Sequence, residues 1–85
     1  MKKITYTIKE EVGLHTRPAG ELVKTASLFS SSITVLFGEK KADAKRIFNV
    51  MSLGAKCGDY IEIEISGDDE DVAFEALEKF VNEFL

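Results

Sequence analysis

An α/β (α+β) fold is predicted: a two-layer sandwich whose four-stranded, mainly antiparallel sheet carries three helices on one face. The predicted order is β-α-β-β-α-β-α. Three features point to it. Apolar residues alternate with polar ones near residues 3–8, 33–37 and 60–65, the period of half-buried strands. Elsewhere apolar residues recur at i, i+3, i+4 and i+7, the spacing of amphipathic helices. The outward positions of the strands hold Thr5, Thr7, Glu62 and Glu64, which suits a sheet with one face open to water.

The elements follow in order. Ile4, Tyr6 and Ile8 share one side of the first strand. Glu10 to His15 is a connection containing Gly13. From about Thr16 the period lengthens, and Ala19, Leu22, Val23 and Ala26 form a helical stripe. Pro18 falls in the first turn, where a missing N–H removes no intrahelical bond. Ser30, Ser31 and Ser32 punctuate the chain. Ile33, Val35 and Phe37 then alternate as a second strand, Gly38-Glu39 makes a turn, and Lys40 to Ala44 forms a short partner strand.

Ile47 to Leu53 reads as a brief helix stopping before Gly54. Tyr60 to Ile65 alternates isoleucine with glutamate, and Gly67 ends that strand. Asp68, Asp69, Glu70 and Asp71 open the last helix, with carboxylates at the positive end of its dipole. Its expected buried stripe is Val72, Ala73, Ala76, Leu77, Phe80, Val81 and Phe84.

With 85 residues the chain is expected to form one domain over residues 1–85. A domain of that size buries only about 60% of the surface its unfolded chain exposes, leaving no room for a deep enclosed site. The formal charge of −4 opposes a primary role in gripping nucleic acid, which needs Lys and Arg against phosphates. One cysteine, Cys57, allows no internal disulfide and fits a reducing cytoplasm. No apolar run of signal-peptide or membrane-spanning length occurs, so no membrane insertion is expected.

Gly13-Leu14-His15-Thr16-Arg17-Pro18-Ala19 is the segment whose chemistry exceeds its structural need. His15 is the only histidine and stands where the loop turns into the first helix. A helix N-terminus has unpaired N–H groups and attracts anions. Arg17, two residues on, brings a guanidinium shaped for phosphate oxygens. A neutral imidazole nitrogen is nucleophilic near neutral pH. A phosphoryl group taken up there would meet the helix amides and Arg17, and the site would need no metal or other cofactor. The competing structural role for such a histidine is a surface or capping residue.

Taken with its surroundings, the segment closely resembles the active-site signature of the HPr family, histidine-containing phosphocarriers of the bacterial phosphoenolpyruvate:sugar phosphotransferase system. The likeness continues through Leu22-Val23-Lys24-Thr25-Ala26-Ser27, Val50-Met51-Ser52-Leu53-Gly54-Ala55 and Gly67-Asp68-Asp69-Glu70, across essentially the whole chain. It implies the HPr-like open-faced sandwich of four strands and three helices. It implies phosphorylation of His15 on Nδ1 by enzyme I, itself charged by phosphoenolpyruvate, and delivery to sugar-specific IIA domains. Arg17 and the backbone N–H groups of Thr16 and Arg17 would steady the phosphoryl group. The implied partner surface joins the first and second helices at Gly20, Lys24, Ile47, Phe48 and Met51. Val50 and Leu53 are expected in the core instead. The implied protein is a cytoplasmic, monomeric group carrier rather than a turnover enzyme.

Two positions depart from the family pattern. Many members carry a regulatory serine at the start of the second helix, phosphorylated by an ATP-dependent kinase. Arg46 stands there and cannot accept that phosphate. Lys45 and Arg46 are expected to attract acidic partner surfaces instead. Gly20 replaces a larger residue, at about 1 kcal/mol in a helix interior. Alternatives are a regulatory binding module of the same family, a carrier in a non-sugar phosphorelay, and a small phosphatase. The phosphatase would need a phosphate-cradling loop beside a water-orienting Asn, but Asn49 and Asn82 fall on predicted helices.

Overall fold

A computed structural model describes residues 1–85. Its elements are β1 (Lys2–Thr7), α1 (Thr16–Ala26), β2 (Ser32–Phe37), β3 (Lys40–Asp43), α2 (Ile47–Ser52), β4 (Tyr60–Ser66) and α3 (Glu70–Phe84). The order is the predicted one, and the strands form one sheet, β1-β4-β2-β3, in which every pairing is antiparallel.

Register explains why alternation was so informative. Ile4 stands opposite Ile63, Ile63 opposite Val35, and Val35 opposite Ala42, so one row of apolar side chains crosses the whole sheet. All four are buried, in a core that also takes Leu22 and Ala26 from α1, Val50 from α2, and Leu77, Phe80 and Val81 from α3. The neighbouring row, Thr5, Glu62, Leu36 and Lys41, faces the other way. There Lys3 Nζ lies 3.5 Å from Glu62 and 3.8 Å from Glu64, exposed pairs that contribute little to stability.

The boundaries shift by a residue or two. β1 and β2 each start one residue earlier than expected, and β1 ends at Thr7, with Ile8 buried just beyond it. β3 stops at Asp43, and α2 stops at Ser52 with Leu53 as its C-cap. Val72 is a correction: it was expected in the buried stripe of α3 but is exposed. At 100° per residue it lies about 120° from the centre of the stripe formed by Ala73, Leu77, Phe80 and Val81.

The acidic start of α3 is a second correction. Glu70 and Asp71 occupy the first turn, but Asp68 and Asp69 precede the helix, and the Asp69 carboxylate does not cap it. It accepts hydrogen bonds from the Ser30 N–H at 2.9 Å, the Ser31 N–H at 3.0 Å and the Ser31 hydroxyl. Ser31 is buried and is the only polar residue in that class. The serine run is therefore a built contact joining the loop before β2 to the start of α3, not mere punctuation.

Donation from the Ser31 hydroxyl, then from the Ser30 and Ser31 amides, lowers the Asp69 carboxyl from 3.8 to about 2. A depressed acid stabilises the fold above its unfolded value, and that contribution is lost as pH falls through the folded value. Between about pH 4 and pH 2 the unaltered protein is therefore expected to lose more stability than an Asp69→Asn variant. Urea unfolding midpoints at several pH values measure the difference; parallel curves for the two chains would refute the role.

Candidate functional site

Three interactions set the position of the loop before α1. Gly13 adopts φ +64° and accepts no side chain: a Cβ there would collide with the Ala55 carbonyl oxygen and sit 2.7 Å from Lys56 Cα. The Leu14 N–H donates to the Ala55 carbonyl at 3.0 Å, and the Leu14 side chain is buried. Further back, the N–H groups of Lys9 and Glu10 donate to the Leu85 carbonyl, the second at 2.7 Å. The loop is thus seated on the segment between α2 and β4 and on the end of α3.

His15 follows this seat as the N-cap residue of α1, in an extended conformation. Its carbonyl accepts the first helical bond, from the Ala19 N–H at 2.8 Å. The imidazole makes no capping bond and is exposed. The N–H groups of Thr16 and Arg17 have no acceptor within the protein, as expected for the first turn of a helix. The Thr16 hydroxyl lies 3.2 Å from His15 Nδ1. That contact places Nδ1 beside the side chain of the first residue of α1. Arg17 is exposed and makes no ion pair, while Pro18 is buried and anchors the first turn.

An open depression of about 530 Å³ adjoins the loop, lined by Glu10, Val12, His15, Thr16, Arg17, Pro18, Glu83 and Phe84. Phe84 is steadied by stacking on Phe80, with ring centroids 5.5 Å apart. Of these residues only His15, Thr16 and Arg17 were selected from sequence, and for Thr16 only its backbone. Glu83 and Phe84 were missed because α3 reaches the loop through tertiary packing alone, and Glu10 and Val12, in the same loop as His15, were read only as connection. A second depression, about 320 Å³ at the β2–β3 edge and lined by residues including Lys41 and Lys45, lies on other elements.

The five residues assigned to a docking surface divide. Phe48 is 82% exposed, the most exposed of the large apolar side chains. Lys24 is exposed, while Ile47 and Met51 are half-buried and pack against the core. Val50 and Leu53 are fully buried, as expected. Lys45 is half-buried and its ammonium donates to the Phe29 carbonyl at 2.7 Å, so its charge is held against the loop between α1 and β2. Arg46 is exposed at the N-cap of α2 and makes no side-chain cap.

Gly20 lies where α1 faces α2, and a Cβ there would meet only Ile47 Cδ1 at 3.8 Å, an ordinary contact. Gly20→Ala is therefore expected to stabilise the fold by about 0.5–1 kcal/mol. For a domain of this size that raises the melting temperature by several degrees, on the order of 4–8 °C per kcal/mol. A thermal melt checks it, and a lowered midpoint would mean that the α1–α2 contact is tighter than it looks.

A rigid open-faced sandwich that presents one imidazole at the mouth of a helix, beside unpaired amides and a guanidinium, describes a small group-carrier domain. Residues 2–83 match the family described as the PTS HPr component phosphorylation site. The chain belongs to the HPr family, the phosphocarrier proteins of the phosphotransferase system of sugar transport. It is 44% identical over 79 residues to the phosphocarrier protein HPr of Mycoplasma capricolum, across 93% of this chain and 89% of that protein. The crystal structure of HPr-C-His from Thermoanaerobacter tengcongensis matches with a TM-score of 0.91 at 45% identity, across 96% of this chain and 92% of that one. A crystal structure of an HPr dimer from the same organism matches with a TM-score of 0.76, across 96% and 94%.

Proposed function

We propose that this chain is a cytoplasmic phosphoryl carrier that receives its phosphoryl group on His15 Nδ1 from enzyme I, charged by phosphoenolpyruvate. It passes the group to the IIA components of sugar uptake. The observation that carries the proposal is the exposed His15 ring at the N-cap of α1, with the Thr16 and Arg17 amides unpaired beside it.

The Nδ1 lone pair forms the new N–P bond as the donor's bond to phosphorus breaks and its electron pair leaves with the donor. The arriving dianion meets three sources of stabilisation. The helix dipole contributes about 0.3–1 kcal/mol at an exposed site. Hydrogen bonds to a charged group are each worth about 1.5–3 kcal/mol. The Thr16 and Arg17 amides and the Arg17 guanidinium therefore outweigh the dipole. Total stabilisation stays modest because the site is open to water, which suits a group that must be given up again.

Docking is assigned to Gly20, Lys24, Ile47, Phe48 and Met51, with Phe48 as the exposed apolar centre and Lys24 and Arg46 as the free cations around it. The transient partners of a carrier need only a small contact area. The chain works as one domain and one copy, without metal or cofactor, and turns over nothing by itself.

Reconstitution tests this: purified enzyme I, phosphoenolpyruvate and a IIA acceptor, with the label located by peptide mapping under alkaline conditions. Acid-labile phosphate on His15 that chases into the acceptor is expected; label elsewhere would overturn the assignment. With Arg46 in place of the regulatory serine, ATP and the HPr kinase are expected to leave the chain unlabelled, whereas Arg46→Ser should be labelled. Kinase labelling of the unaltered chain would refute the loss of that switch.

A further inference from the structure

Two charges that line the His15 depression have no part in the scheme above. Glu10 and Glu83 both face it, and neither carboxylate makes an ion pair. We propose that Glu10 and Glu83 are tuning residues for phosphoryl transfer: their negative charges oppose the dianion on His15 and so raise the tendency of the loaded carrier to give its group away. The proposal rests on His15 being the acceptor.

The fold holds each charge in place. The Glu10 N–H donates to the Leu85 carbonyl at 2.7 Å, and the Glu10 carbonyl accepts from the Gly13 N–H at 3.0 Å. Glu10 is thereby pinned between the end of α3 and the turn before His15. Glu83 belongs to the last turn of α3, which holds no basic residue. That is the negative end of the helix dipole, where a cation stabilises a helix and an anion weakens it. Lys79, one turn back, makes no ion pair to offset the cost. Glu83 therefore does not serve its own helix, and its charge acts on the depression that it lines.

The phosphoryl group stands between opposed fields. The N-terminus of α1 and Arg17 attract it, and the two carboxylates repel it. The charged lining is already negative before any phosphoryl group arrives, two carboxylates against one guanidinium. A neutral ring feels little of this field, whereas a dianion on the ring feels it fully, so the carboxylates raise the energy of the loaded form. A depression of about 530 Å³ is on the order of 10 Å across, close to the Debye length at 0.1 M salt. The repulsion is therefore felt at low ionic strength and screened at high.

An equilibrium between two carriers tests this free of docking effects. The unaltered chain and a chain carrying Glu10→Gln and Glu83→Gln are mixed in equal amounts with limiting labelled phosphoenolpyruvate and a trace of enzyme I. The group passes from one carrier's His15 to enzyme I and from enzyme I to the other carrier. The same bond is broken and made, and enzyme I cancels from the balance. After ion-exchange separation, the label is expected to favour the double variant by about three- to fivefold at low salt, and each single variant by about twofold. In about 1 M salt the partition should approach even. Glu75→Gln is the control: it makes the same change of charge at an exposed site on α3, roughly 12 Å back along the axis from Glu83, and should partition evenly.

Even partition of the double variant at low salt, or a bias toward the unaltered chain, would overturn this proposal and leave the acceptor assignment standing. So would a bias that survives high salt, or an equal one in Glu75→Gln. Label found away from His15 would overturn the carrier assignment and this proposal together.

Discussion

His15→Ala is expected to leave no acid-labile label from phosphoenolpyruvate and enzyme I, while changing the unfolding free energy by less than about 0.5 kcal/mol. The two halves of that expectation come from the same geometry. The ring is exposed, makes no capping bond, and has an exposed hydroxyl as its one hydrogen-bond partner, so the fold does not depend on it. No other histidine exists to take over the chemistry. Arg17→Ala should be partial by comparison. It removes a charge-assisted bond while the Thr16 and Arg17 amides stay in place, a loss of roughly 10- to 150-fold in transfer. Phosphate incorporation and urea unfolding measured on the same preparations separate the cases. Residual label in His15→Ala would displace the acceptor, and a fall in stability beyond about 2 kcal/mol would recast His15 as a structural residue.

What could be read from the sequence divides by the range of the interaction. β1 and β4 were legible because each buries one face, and a slip of one residue would turn every isoleucine of Tyr60–Ser66 outward. β3 was legible only as the partner of β2, since Lys40–Asp43 buries a single residue, Ala42. The stripe of α3 was legible except at Val72, where an apolar residue in the first turn was counted with a face it does not share. His15 and Arg17 were legible because loop, nucleophile and guanidinium lie within three residues. The Leu14–Ala55 seat, the Asp69–Ser31 contact and the approach of Glu83 and Phe84 span about 40 to 70 residues. No local period announces such contacts. An apolar Leu14 wedged between Gly13 and His15 in a polar loop was the one local sign that the loop is held down.

That seat gives the other large effect. Gly13→Ala is expected to destabilise the protein by about 3 kcal/mol and to impair transfer as well. Two contributions add. An alanine at φ +64° is in the left-handed region, at about 1–2 kcal/mol. Its Cβ would also meet the Ala55 carbonyl oxygen and Lys56 Cα, backbone atoms that cannot swing aside as a flexible side chain would. Relief requires the loop to lift, which breaks the Leu14–Ala55 hydrogen bond and starts to expose Leu14. Because His15 is the next residue, the lift also moves its ring off the axis of α1, and transfer depends on that placement. Gly38→Ala separates the two contributions. Gly38 has φ +62° but open space around it, in the β2–β3 turn, so it should show only the conformational loss and normal transfer. Urea unfolding and enzyme I-dependent labelling of both variants decide the matter. If Gly13→Ala proves no less stable than Gly38→Ala and still accepts phosphate at the normal rate, the Ala55 segment is not what holds His15 in place.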